Sequence, residues 1–410
     1  MPLSSYLTPG VYVEEISAGP RPIQAVGTST AAFVGEAPDA EARPNEAVPI
    51  NSWGQFLKEY ASKEGVASTP LSHAVFGFFQ NGGRRCYCVN TGKGKPISGG
   101  GTERQGVDVL EEIDEVNTVA APGYTKAEDY EAVLSHCEKL KNRVAILDAP
   151  QEVGNVDLLT KVGAVTKAPK PAKGAGGDAG TTPPAKSDGL RPRVSDRGYG
   201  AFYFPWITVR DPFSPKDLVD VPPSGHLAGI YARSDAMRGV HKAPANEPIR
   251  GALNVTYRLT DTEQGELNQN GVNCLRFFPR QGILVWGART LADAASEWRY
   301  LNVRRLFNMI EESIARATRW VVFEPNDSAL WKAIRRDINA FLSLVWRDGA
   351  LAGSKPEQAF FVQCDSETNP PEVIDAGQVV TLVGLAPVKP AEFIIFRIGQ
   401  QAGGVEVEAA

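Results

Sequence analysis

Glu115-Val116-Asn117-Thr118-Val119-Ala120, then Thr125 to Leu140, then Arg143-Val144-Ala145-Ile146-Leu147-Asp148 read as a strand, a helix and a buried strand. The first and last are short runs rich in β-branched residues, and the middle one has helical length. Strand, helix and strand in succession predict parallel strands joined by a crossover helix, and so an α/β first domain. Toward the N-terminus the same reading adds an apolar segment at Thr30 to Gly35, a helix at Leu71 to Gln80 and a strand at Arg85 to Asn90, followed by a Gly-rich loop from Gly92 to Gly101. Cys86 and Cys88 fall on one face of that strand. Without a second ligand pair they read as small apolar side chains rather than zinc ligands. The other three cysteines are scattered, as expected of reduced, buried thiols.

Val11-Tyr12-Val13-Glu14-Glu15-Ile16, between Pro9-Gly10 and Gly19-Pro20, is a strand with no local hairpin partner. It must pair with something distant or with another chain. Lys167 to Asp188 contains no large apolar side chain and reads as a flexible surface loop, because it cannot offset the entropy of its own ordering. Folded sequence resumes at Tyr199 to Ile207, an aromatic-dense run that reads as one buried strand.

Two amphipathic helices dominate the second half. Val303, Leu306, Phe307, Ile310, Ile314 and Ala317 share one face, with Asn302 as the expected N-cap. From Asp327 to Arg347, Leu330, Trp331, Ile334, Ile338, Phe341, Leu342 and Val345 line one face and Lys332, Arg335, Arg336, Asn339, Ser343 and Arg347 the other. That basic stripe reads either as a solvated face or as a dock for an acidic partner. Strands are expected at Ala359 to Cys364, Val379 to Leu385 and Phe393-Ile394-Ile395-Phe396-Arg397-Ile398. The last is apolar on both faces, so a neighbouring subunit must cover it if its own chain does not.

The 410 residues carry 43 Lys plus Arg against 48 Asp plus Glu, a net charge of −5, which gives no general affinity for nucleic acid. The N-terminus lacks the pattern of a secretory signal, and no stretch has the length and apolarity of a membrane span. Enzymatic motifs fail on inspection. Gly27-Thr28-Ser29-Thr30-Ala31-Ala32 resembles the serine segment of subtilisin-type proteases, but Ser29 precedes all four histidines (His73, His136, His226, His241), which breaks the Asp, His, Ser order. Lys93-Gly94-Lys95 lacks phosphate-loop spacing, and four histidines leave little material for a metal site. Neither catalytic residues, cofactor nor metal are expected.

Three longer blocks carry a resemblance: Pro222 to Asp235, Arg238 to Asn246, and Leu267-Asn268-Gln269-Asn270-Gly271-Val272-Asn273 running to Val285-Trp286-Gly287-Ala288-Arg289-Thr290. With Pro9 to Glu15, Trp320 to Asn326 and Pro390-Ala391-Glu392-Phe393, they resemble the sheath protein of contractile phage tails and related injection systems, in order and over nearly the whole chain. The resemblance implies a subtilisin-like α/β domain without a catalytic triad (about 21–255), a C-terminal mixed α+β sheath domain (256–386), and linking arms at 1–20 and 387–410. It further implies copies stacked as hexameric rings around an inner tube, contraction from a metastable extended state, and arms that add strands to neighbouring copies through Val11 to Ile16 and Phe393 to Ile398. Baseplate and cap proteins are the implied further partners, and Lys332, Arg335 and Arg336 are the candidate tube contacts. Such a protein is made in a bacterial cytoplasm and built into a tail-like particle. A subtilisin-like hydrolase and a small-molecule binding module are the competing readings.

Overall fold

Thr30 leads into β1 (Ala31–Gly35), whose five residues are all buried, as a central parallel strand requires. The structure, a computed structural model, describes residues 22–99, 103–163 and 189–395. The expected strand at Val11 to Ile16 and the loop at Lys167 to Asp188 lie outside the described residues. In chain order β1 is followed by β2 (Ala47–Ile50), α1 (Trp53–Tyr60), α2 (Pro70–Gln80), β3 (Cys86–Asn90), β4 (Thr118–Ala120), α3 (Ala127–Leu140), β5 (Val144–Asp148) and β6 (Gly200–Phe204). Then come β7 (Ile207–Arg210), β8 (Leu218–Val221), α4 (Ser224–Arg238), β9 (Glu247–Pro248), β10 (Asn254–Val255), α5 (Asp261–Gln269), β11 (Val272–Phe278), β12 (Gly282–Trp286) and α6 (Leu301–Ala317).

These elements build a mixed sheet in the order β2-β3-β1-β4-β5-β6-β11-β12-β9. The run from β3 to β11 is parallel, including β4 beside β5, as the strand, helix, strand reading predicts. Antiparallel strands finish both ends. Alternate side chains feed two cores. Phe33, Cys86, Cys88, Ile146 and Tyr203 face one side with residues of α1, α2 and α4, while Val34, Val89, Leu147 and Phe202 face the other with residues of α3 and α5. Cys86 and Cys88 thus lie together in the first core. The aromatic run at 199–207 is not one strand: Pro205 has no N–H for a ladder, and the chain leaves β6 there to begin β7 in a small sheet ordered β10-β7-β8.

Helix ends are fixed locally. Ser52 caps α1, Thr69 and Ser72 cap α2 reciprocally, and Thr260 and Glu263 do the same for α5. The contact of α2 with α4 is closer than ordinary side chains permit. A Cβ on Gly225 would stand 2.2 Å from Ala74 Cα, one on Gly229 2.5 Å from the Phe78 carbonyl, and one on Gly77 2.3 Å from His226 Nδ1. These glycines let the two backbones meet, which accounts for part of the Pro222 to Asp235 block.

The chain divides into two compact units, Thr28–Leu306 with Pro387–Ala410, and Met1–Gly27 with Phe307–Ala386. The expected boundary at 255/256 is therefore displaced, because β11 and β12, which follow it, join the large sheet through the parallel edge of β6. The smaller unit contains the second half of α6, α7 (Ser328–Arg347), α8 (Pro356–Ala359), β13 (Phe360–Gln363), α9 (Pro371–Asp375) and β14 (Leu382–Leu385), with β13 and β14 antiparallel. Asp327 caps α7 by accepting from the N–H groups of Ala329 and Leu330, both at 2.9 Å, and the seven apolar residues expected on its inner face are all buried. Asn302 does not cap α6. It lies inside the helix, buried, and donates to the carbonyls of His241 (2.7 Å) and Val388 (3.2 Å).

Candidate assembly surfaces

The C-terminal segment is tied down at one side chain. Glu392 accepts from Arg289 Nε at 2.9 Å and Nη2 at 2.7 Å, and from the Tyr300 hydroxyl at 3.1 Å. Arg289 Nη1 donates to the Asn268 carbonyl at 2.9 Å, so the guanidinium fork is used on both sides. Burial pushes the Glu392 carboxyl up, but Arg289 and Tyr300 outweigh it and hold the group below the usual glutamate range. The backbone of Arg289 is set by Asn273, which accepts from its N–H at 2.7 Å and donates to its carbonyl at 2.8 Å. A Cβ on Gly287 would stand 2.8 Å from Asn273 Oδ1. The two ends of the block from Leu267 to Thr290 therefore converge on holding one arginine, which grips the Pro390 to Phe393 block near the chain end.

Immediately beyond the grip, Phe393, Ile394 and Ile395 are 74%, 75% and 79% exposed and form no strand. The expected strand is thus unpaired, among the described residues, over its described half. Phe396, Arg397 and Ile398 lie outside the described residues. Three consecutive apolar side chains this exposed form a candidate interaction surface.

The N-terminal segment is also fastened. Arg305 and Asp235 are 3% and 4% exposed and paired at 2.6 Å. Arg305 Nη2 also donates to the Thr28 carbonyl at 3.1 Å, and the Thr28 hydroxyl donates to Asp235. The guanidinium stacks 4.8 Å above the Tyr231 ring, whose hydroxyl lies 2.6 Å from that of Tyr203. Within the smaller unit, Val26 N–H donates to Ser313 Oγ at 3.0 Å. Candidate arm residues Val11, Tyr12, Val13, Glu14, Glu15 and Ile16 precede these contacts and lie outside the described residues.

On α7 the structure brings Lys332, Arg335 and Arg336 to the side opposite the buried stripe. Lys332 and Arg336 are exposed and Arg335 half-buried. Arg336 meets the buried Asp337 at 3.0 Å, whereas Lys332 and Arg335 have no ion-pair partner among the described residues.

The enzymatic motifs gain nothing from the structure. Ser29 is exposed in a loop and bonds to no histidine among the described residues. The Gly94 N–H donates to Glu36, so the Lys93-Gly94-Lys95 loop meets a carboxylate where a phosphate cradle would need open amides. All five cysteines are free and buried, and burial pushes the Cys137 and Cys274 thiols up to about 12. No helix among the described residues is long and apolar enough to cross a membrane.

Sequence reasoning reached α7 but missed the Arg289–Glu392 grip. The signal lay in the blocks containing Arg289 and Glu392, which carried the resemblance without revealing that they touch.

Known proteins agree with one another. The family described as phage tail sheath protein central domain matches residues 107–291, and that described as phage tail sheath C-terminal domain matches 293–401. The tail sheath protein of Vibrio phage KVP40 is 30% identical over 177 residues, 42% of this chain and 26% of that protein. The chain spans less than half the length of the curated relatives it matches. Among solved structures, the PVC sheath complex of an extracellular contractile injection system, in its contracted state, is 32% identical with a TM-score of 0.76, covering 98% of this chain and 99% of that one. The helical sheath of the anti-feeding prophage in its contracted state is 29% identical with a TM-score of 0.73, covering 97% and 100%. The chain belongs to the phage tail sheath protein family.

Proposed function

We propose that this chain is a structural, non-catalytic subunit that polymerises as stacked, hexameric rings around an inner tube and contracts to drive that tube forward. The observation that carries the reading is the C-terminal segment, gripped at Glu392 and then presenting Phe393, Ile394 and Ile395 to solvent. A neighbouring copy supplying a sheet edge would cover these side chains and satisfy their backbone groups, the arrangement known as strand addition. Residues 1–20 and 387–410 are the linking arms in this reading. The parallel run of the large sheet, with core on both faces, supports a subtilisin-like domain whose protease residues are missing.

Contraction follows if the subunits move as near-rigid bodies while the arms keep them linked. Moving a two-state population from 1:99 to 99:1 takes roughly 5.5 kcal/mol, which copies in a ring of six share at about 1 kcal/mol each. Small differences between interfaces therefore suffice, and no nucleotide is needed. The exposed cations of α7 are the proposed tube contact, with baseplate and cap proteins at the ends of the cylinder. The particle would be assembled in a bacterial cytoplasm.

Expression of the full chain with its inner tube protein, followed by electron microscopy, tests this. Striated cylinders are the expected product. A folded chain that stays monomeric at high concentration beside assembled tubes would overturn the reading.

A further inference from the structure

Where Gly77, Gly225 and Gly229 bring α2 and α4 together, each helix also contributes one buried histidine. His226 of α4 is 1% exposed and lies over Gly77, where a Cβ would stand 2.3 Å from its Nδ1 and 2.4 Å from its Cε1. The ring fills the notch left by the missing side chain. His73 of α2 is 6% exposed and close enough for its charge to act on His226. Neither ring nitrogen of His226 has a hydrogen-bond partner among the described residues, and Nδ1 of His73 has none either.

A neutral imidazole carries one N–H and one lone pair, so both polar functions of His226 go unanswered. A second proton would add another donor and a positive charge where the described residues offer a receiver for neither. The surrounding groups do not relieve this. Asp211, which accepts from the Ser68 hydroxyl at 2.7 Å and the Phe213 N–H at 2.8 Å, acts on His73. His226 feels His73, which repels it. Asp148 accepts from Ser224, two residues before His226, but burial pushes its carboxyl up to about 7, so it is protonated in acid and supplies no counter-charge. Tyr60, Cys86, Cys88, Tyr203 and Tyr231 of the same core are neutral in acid.

We propose that the seam between α2 and α4 is an acid-sensitive latch, opened when His226, together with His73, takes up protons. Burial first, and then the His73 charge, push the His226 pKa down to about 3. Burial lowers that of His73 too, with Asp211 offsetting part of the effect. Once the helices part and water reaches the rings, both return to about 6.5. The closed state therefore has its full advantage above that pH and loses it as pH falls toward the folded values. Each ring raises the opening constant by up to about tenfold per pH unit across that window.

Hydrogen exchange of the full chain, read by mass spectrometry on peptides from α2 and α4 and corrected for the intrinsic effect of pH, measures the opening. Between pH 6 and pH 4 the rise per pH unit should be about tenfold smaller in His226→Leu and in His226→Phe than in wild type. Circular dichroism at neutral pH verifies the fold of each variant, and peptides from α7 should show no such difference. A second measurement needs no variant. In carbon-13 histidine-labelled wild type, the ring assigned to His226 by its Overhauser contact with Gly77 should stay neutral from pH 8 to pH 5. An unchanged slope in a folded His226 variant, or titration of that ring near about 6.5 in the folded chain, would overturn the latch.

Discussion

Arg289 and Glu392, 103 positions apart in the chain, are joined by two hydrogen bonds of 2.9 and 2.7 Å, and the residue after Glu392 is 74% exposed. The last side-chain ion pair among the described residues and an uncovered apolar side chain are therefore neighbours. In the proposed reading, tension on the arm would be borne by this pair, which is already largely desolvated.

Glu392→Gln leaves the Arg289 guanidinium, 8% exposed, without its counter-charge. A loss of about 3 kcal/mol in chemical denaturation is expected, since breaking a buried pair from one side strands the other charge. A double-mutant cycle with Arg289→Met should show a coupling above about 1 kcal/mol. Additive losses would contradict the grip.

Two glycine-to-alanine changes in helices should have opposite signs. At Gly77 the new Cβ meets His226 Nδ1 at 2.3 Å, so Gly77→Ala should cost more than about 2 kcal/mol through overpacking. At Gly265 of α5 nothing lies within 4 Å, and Gly265→Ala should stabilise by up to ~1 kcal/mol through helix propensity alone. Thermal denaturation of the two variants reads both.

Asp148, at the end of β5, accepts from Ser224 N–H at 2.9 Å and Ser224 Oγ at 2.6 Å. Burial nevertheless pushes its carboxyl up to about 7, the Ser224 bonds offsetting only part of the rise. The folded state then binds a proton that the unfolded state, with a pKa near ~3.9, has released. This group's favourable contribution is complete below about pH 4 and is lost as pH rises through 7, a swing of up to about 4 kcal/mol. Asp148→Asn should flatten that dependence and be the more stable protein at pH 8. Taking the difference between the two proteins at pH 5 and pH 8 cancels the opposite effect of the buried histidines. A variant less stable than wild type at pH 8 would contradict the assignment.

Lys332→Glu with Arg335→Glu reverses the α7 face while leaving Arg336 paired with buried Asp337. Chain stability should change by less than about 0.5 kcal/mol, as at other surface positions. Assembly around the inner tube should fail. Normal sheathed tubes from this variant would assign the face to solvent.

The β4-α3-β5 unit and the inner face of α7 were legible because each is a local period: a short apolar run, or side chains three and four apart. Helix α4 has no such period. Ser224 through Ser234 are all buried, and a helix covered on every side carries no apolar stripe. Sheet membership was equally silent, since nothing within β11 reveals that its neighbour will be β6 rather than a strand of a new domain. The grip on Glu392 required that order first, because Arg289 reaches it only after β12 has been placed beside β11.

A cryo-EM reconstruction of the cylinder formed by the full chain on its inner tube tests the central claim most directly. The account predicts that Phe393 to Ile398 of each copy lie as a strand hydrogen-bonded to a different copy, with Glu392 still held by Arg289 of its own. Cylinders in which both terminal segments fold back and pair only within their own subunit would contradict it.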